Sequence, residues 1–323
     1  MIFSNYSYQY FDWWHDIIPD ANEFDLNGDS FEHEGLFNNN ILDLGFTIGL
    51  NDYWNVTFKQ SLIERCMDWE GPVDQSGNSL TVHHRTECSS SDFYDGDSPI
   101  AYGGILADAN INFRYLLYNQ MKGPGSRVFF GFGFDVPSKN ILTESPWTKT
   151  NGQYTAHRHF YISDGAYKIN LELQFFKKRI LFPVFWGGTL TYNFPLSDSK
   201  YGFTPSDRLG LSLLAMSSSR LFKKIKLGKF SLSSIGPTLT VLYTGRSSWS
   251  GQGLTPNSKS ILYMPGVNIL ISSKNGGGLG INITKGFQQY INDRPIDIDE
   301  ELDIFTFSIN YRTVLNKRID WLW

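Results

Sequence analysis

From Tyr167 to Gln174 the chain reads Tyr-Lys-Ile-Asn-Leu-Glu-Leu-Gln, apolar and polar residues in strict turn. Successive side chains of a strand point to opposite faces, so this run asks for a strand with one oily and one wet face. The pattern recurs. Phe305, Phe307, Ile309 and Tyr311 alternate with Thr306, Ser308, Asn310 and Arg312, and Leu42, Leu44, Phe46 and Ile48 with Asp43, Gly45, Thr47 and Gly49. Ala109, Ile111, Phe113 and Tyr115 alternate with Asn110, Asn112 and Arg114. Near the start, Tyr6, Tyr8 and Tyr10 enclose Ser7 and Gln9.

Read along the whole chain, the alternation predicts about twelve strands, at 2–12, 40–50, 53–67, 100–118, 127–136, 166–178, 182–193, 207–219, 230–244, 260–273, 278–288 and 301–313. The connections alternate in length. Long ones cover 13–39, 68–99, 137–165, 194–206, 245–259 and 289–300; short ones carry turn residues such as Asn51-Asp52, Gly123-Pro124-Gly125 and Asn275-Gly276-Gly277. Long loops on one rim and tight turns on the other are the mark of a transmembrane up-and-down antiparallel β-barrel, with extracellular loops and periplasmic turns. The expected fold class is therefore all-β, with residues 1–323 forming a single outer-membrane barrel domain. The expected location is the outer membrane of a Gram-negative bacterium, with the termini on the periplasmic side.

Composition fits two surfaces averaged together. Aromatics make up 16% of residues and charged residues 19%, yet mean hydropathy is -0.27. The longest mostly apolar stretch, Ile180 to Leu196, is broken by Pro183, Gly187, Gly188 and Pro195, which argues against a spanning helix. Net charge is -4, without the basic footprint of a nucleic-acid partner. Met1 is followed at once by a polar, Tyr-rich segment, so either the numbering starts near a mature N-terminus or the protein is not exported. Charge also divides by rim. The 13–39 stretch holds Asp16, Asp20, Glu23, Asp25, Asp29, Glu32 and Glu34 with no Lys or Arg, whereas Lys177, Lys178, Arg179, Lys223 and Lys224 fall near short turns. All six histidines are expected in loops, and Trp13, Trp14, Trp69 and Trp249 in an aromatic girdle at the long-loop rim.

The stretches LDLGFTIGLNDYWNVTF (42–58) and GGILADANINFRYLLYNQMKGPGSRVFFGFGFDVPSK (103–139), with HRHFYISDGAYKINLELQFFKK and ILYMPGVNILIS, resemble the outer-membrane transporter family named for meta-pathway phenol degradation. The resemblance spans roughly 40–313. It implies a porin-like barrel proposed to pass small organic compounds, and it assigns no catalytic residue.

The candidate site is the lumen. Alternation turns Asp43, Lys59, Asp108, Asn110, Asn112, Arg114, Asp135, Lys168, Asn170, Glu172, Asn310 and Arg312 inward, where charges of both signs attract polar solutes and fix water. The alternative is that these groups pair across a barrel of this strand number and fill it; inward glycines such as Gly45, Gly131, Gly133 and Gly187 tilt the balance toward a passage. Cys66 and Cys88 flank one loop and, outside the cytosol, read as a disulfide worth about 3 kcal/mol on the chain-entropy model. Asp25, Asn27 and Asp29 begin like a calcium loop, but Ser30 and Leu36 replace its turn Gly and bidentate Glu, so a solvated acidic loop is the better reading. No metal is assigned, His83, His84, His157 and His159 being read as exposed loop residues. No Gly-x-Ser-x-Gly elbow or His-x-Ser strand motif is found, so no enzyme and no cofactor are expected. The partners expected are membrane lipid, lipopolysaccharide and a small solute. The function expected is passive or facilitated solute passage, with weak cation preference from the acidic loops. The alternative is a closed structural barrel that displays disulfide-tied loops to an envelope or extracellular protein.

Overall fold

The computed structural model describes residues 1–15, 33–69, 76, 105–120, 123–143, 145, 149–150, 153–154, 162–217, 226–227, 230–273 and 277–315. The long strands are β1 (Ile2–His15), β2 (His33–Gly49), β3 (Trp54–Trp69), β4 (Leu106–Asn119), β5 (Gly125–Val136) and β6 (Lys168–Lys178). They continue as β7 (Phe185–Pro195), β8 (Arg208–Met216), β9 (Phe230–Thr244), β10 (Ser260–Ser273), β11 (Gly278–Tyr290) and β12 (Glu300–Thr313). Each pairs antiparallel with its neighbours in sequence, and β1 pairs with β12 from Ile2↔Thr313 to His15↔Glu300. The twelve strands thus form a closed barrel. Closure leaves no strand edge, which is what a sheet needs where no water is present to satisfy its backbone. No helix among the described residues is long and apolar enough to cross a membrane; the crossing is made by strands.

All twelve predicted strands are found, with shifted ends. The largest shift is at β2, which starts at His33 rather than 40, so that 33–39 pairs with the end of β1. His15 and His33, expected in a loop, are therefore directly opposed strand residues. Here the parity is reversed, with Phe11, Trp13 and Phe37 inward and Asp12 outward, so the polar-inside alternation fails while the hydrogen-bond ladder continues.

The register sorts the faces. Ile2, Tyr6, Tyr10, Leu44, Phe46, Phe130, Phe134, Leu171, Leu173, Leu211, Val267, Ile283, Phe305 and Tyr311 are exposed and share the outer face. Phe46 stacks on Phe58 at 5.6 Å, Phe113 on Phe132 at 5.2 Å, and Trp54 meets Tyr115 at 4.8 Å near the turn rim. A closed barrel with such an exterior is an integral outer-membrane protein. The Asn51 side chain shapes one tight turn by accepting from the Tyr53 and Trp54 amides at 2.9 and 2.8 Å.

Two of the four tryptophans assigned to the long-loop girdle are elsewhere. Trp13 shares the inward parity of Phe11 and packs inside the barrel. Trp249 is buried in a small three-stranded sheet of 203–204, 248–249 and 253–254, against Phe203 at 5.0 Å. Adjacent strand residues face opposite ways, so Trp13 and Trp14 cannot both join an outer girdle.

Candidate functional site: the barrel lumen

Position in the register puts all twelve candidate residues on the inward face, opposite the exposed aromatics. Most of those on β2–β6 are held by polar partners along the wall. Lys59 lies 3.7 Å from Asp43, which also accepts from Ser61 at 2.5 Å and Asn5 at 3.3 Å. Arg114 donates to Glu172 at 2.8 Å. Asp135 accepts from Asn110 at 2.6 Å and Asn193 at 3.0 Å, and Asn193 also donates to Asn170. Some of these bonds join adjacent strands, while Arg114–Glu172 spans the intervening β5 over Gly131 and Asn193–Asp135 spans β6. Asn310 and Arg312 stand apart from these clusters, on β12.

Asp108 and Lys168 hold a loop. The Ser138 amide donates to Asp108 at 2.9 Å, and the Ser163 hydroxyl bonds the same carboxylate. Between these points the Ile162 and Ser163 amides donate to the Asn140 carbonyl at 3.2 and 3.0 Å, and Asn140 is fully buried. Asp164 pairs with Lys168 and lies 3.7 Å from Arg208. Burial alone would raise the Asp164 carboxyl, but Lys168 first, and Arg208 after it, hold it below the usual range. Segments 138–143 and 162–167, read in sequence as an ordinary external loop, are thus anchored to lumen-facing residues of β4, β6 and β8.

The loop-side half of the lumen is further filled by apolar groups. Phe11, Leu302 and Ile304 are buried together, with Trp13, Phe37, Leu262 and Tyr290 packed on them. Phe11 and Phe37 stack at 4.1 Å and 6°. Above them Trp13 Nε1 donates to Glu300 at 2.7 Å, and Glu300 also accepts from Tyr290 and Asn257. The 245–259 and 291–299 connections are clamped by Arg246. It donates to Asp297 at 2.7 Å, to the Ile291 carbonyl at 3.1 Å and to Asp293, while Lys259 donates to Asp293 at 2.6 Å. Lys259 and then Arg246 hold the Asp293 carboxyl down at about 2. Asp297 is lowered too: burial opposes its charge, but Arg246 and the Asn257 amide prevail.

The turn-side half contains a cavity of about 1000 Å³ against β8–β12. Its walls include Ser212, Leu214, Thr238, Thr240, Asn268, Leu270, Gly278, Gly280, Asn282, Asn310 and Arg312. Of these, only Asn310 and Arg312 were candidates from sequence. Gly45 and Gly187 on the other wall do not create space. A Cβ on Gly187 would meet the Phe175 carbonyl oxygen at 2.1 Å, and one on Gly45 would meet the Phe3 ring at 2.3 Å. Those positions serve close approach of strands.

Among the described residues no cysteine is free; Cys66 stands near the loop end of β3, and Cys88 lies outside the described residues. The Asp25, Asn27 and Asp29 segment and His83, His84, His157 and His159 also lie outside them. No cluster of three metal-ligating side chains occurs among the described residues.

The architecture is that of an outer-membrane β-barrel. No family model matches the chain, and no curated protein does. Solved structures are similar in fold. An outer membrane channel from Pseudomonas putida F1 is 10% identical, with 96% of this chain and 94% of that one covered and a TM-score of 0.50. The toluene transporter TodX of Pseudomonas putida is 7% identical over 95% and 88% at 0.39, and LpxR from Salmonella typhimurium 9% over 94% and 99% at 0.35.

Proposed function

We propose that the barrel is a channel or transporter passing small organic solutes across the outer membrane. One observation carries this reading: the polar groups of the β2–β6 wall are held along it by one another, leaving a cavity of about 1000 Å³ in the turn-side half. A barrel that merely anchored loops would have no need of that space. The fold shared with an outer membrane channel points the same way. In this reading the inward residues from Asp43 to Arg312 line the path, and the 138–143 and 162–167 segments narrow it. The chain acts as a single domain, and Cys66 pairs with Cys88 to tie one external loop. Liposomes containing the purified protein are expected to swell in isotonic small solutes. No swelling, together with no ion current across a planar bilayer, overturns the proposal.

The filled loop-side half favours a second reading, a closed barrel that presents its loops to an envelope or extracellular protein. It expects neither swelling nor current, and a partner that co-purifies.

A further inference from the structure

Acids and bases are distributed unevenly around the lumen. Asp43, Lys59, Asp108, Arg114, Asp135 and Glu172 all lie on β2–β6. Among the described residues, the wall that encloses the cavity contains no acid, and Arg312 is the one base lining it. Lys59, Arg114, Lys168 and Arg208 each have a carboxylate within 4 Å. Arg312 has no ion pair among the described residues, although a guanidinium is well shaped to grip a carboxylate in a fork.

Glycine marks the same place. Gly278 is opposite Arg312 in the register, and Gly280 opposite Asn310. Neither is forced by the backbone. The nearest atoms to an added Cβ would be Arg312 Nε at 3.6 Å for Gly278 and Leu270 Cδ2 at 3.6 Å for Gly280, ordinary contacts. Glycine inside a strand costs stability, and where no neighbouring chain demands it, it leaves room for a ligand. Beyond Gly280, Asn268 faces Asn282 across the ladder, and the side-chain oxygens of both, with that of Thr238, are buried without hydrogen-bond partners. Buried polar groups are normally paired, so three orphans on one cavity wall mark a place where polar atoms of a guest belong.

We infer that this cavity is a binding subsite for a small organic monocarboxylate. The carboxylate meets Arg312 over Gly278, its apolar body lies on Gly280 beside Leu270 and Leu214, and amides at 268 and 282 bond any further polar atom. The absence of acids on this wall disfavours cations. The inference deepens the channel reading by naming a solute class.

The test uses the full-length barrel in zwitterionic detergent and ligand-observed saturation-transfer NMR. The probes are cyclohexanecarboxylate, cyclohexylmethanol and cyclohexylmethylammonium, one skeleton with three head groups. The carboxylate is expected to give transfer above empty micelles, at least five-fold more than either other probe. Arg312→Gln and Gly280→Leu should each cut it at least five-fold, with the folded state of each variant checked by its heat-modifiable gel mobility. No transfer from the carboxylate, equal transfer from the alcohol or ammonium, or a carboxylate signal that survives Arg312→Gln overturns the inference. Liposome swelling separates the two claims. A barrel that binds the carboxylate but admits no solute refutes the channel and leaves the subsite standing, and one that conducts without binding does the reverse.

Discussion

At the scale of single residues, Arg246 does more than any other described side chain to shape the loop-side rim. Its partners Asp293 and Asp297 belong to a different connection, so losing it unties two loops at once. Arg246→Ala should therefore speed protease cleavage within 245–259 and 291–299 while leaving the strands intact, as mass spectrometry of the fragments would show. The Asp293 carboxyl sits at about 2, below its ordinary 3.8. A lowered carboxylate stabilises the fold above its ordinary value and loses that contribution as pH falls through the lowered one. The clamp's contribution should thus be complete above about pH 4 and be lost progressively as pH falls from there to about 2. A carboxyl carbon NMR titration that found Asp293 titrating near 4 would show that its two cationic partners do not hold it.

At the scale of elements, twelve strands were legible because lipid on one side and water on the other impose alternation over each crossing. What alternation could not show is where it stops. In β2, residues 35–39 put apolar Phe37 inward and Leu36 outward beside Asn38, and Asn39 accepts from Arg65 at 3.0 Å and donates to Gln9 at 3.2 Å across neighbouring strands. Strand there is fixed by its partners, which no local pattern reveals. Phe11, Trp13, Leu302 and Ile304 escaped for a related reason: reading the inward face as polar assigns no role to apolar groups that turn inward. Glycine meanings also needed three dimensions. A Cβ on Gly236 would approach the Ala215 carbonyl oxygen to 1.8 Å, so Gly236→Ala should force β9 away from β8 and sharply lower the yield of heat-modifiable, folded barrel. Gly280→Ala, with its nearest contact at 3.6 Å, should fold at the parental yield.

At the scale of the molecule, the lumen divides into a filled loop-side half and a hollow turn-side half. Neither half was readable from sequence, because the filled half joins the first two strands to the last, and the cavity, though walled by consecutive strands, is an arrangement of missing side chains. The division makes the apolar cluster the barrier to any passage. Phe11→Ala should raise the swelling rate of liposomes severalfold and lower stability by about 3 kcal/mol, as a large buried aromatic is lost. Unfolding in denaturant and swelling measured on the same preparation would check both. A thiol reagent applied without reductant should label no cysteine, and labelling of both Cys66 and Cys88 would reject the proposed loop tie.

The seam between β1 and β12 has a consequence in time. Ser7 and Ser308 bond at 2.9 Å across 301 residues of chain, and the whole first strand waits for the last. Until they meet, two strand edges expose unpaired amides and carbonyls that hydrocarbon cannot satisfy. Pairing of such distant segments is intrinsically slow. An unsealed sheet cannot rest in the bilayer, so zipping the seam and entering the membrane must be one concerted event, and the rate of that event sets how long the nascent barrel needs shelter from aggregation.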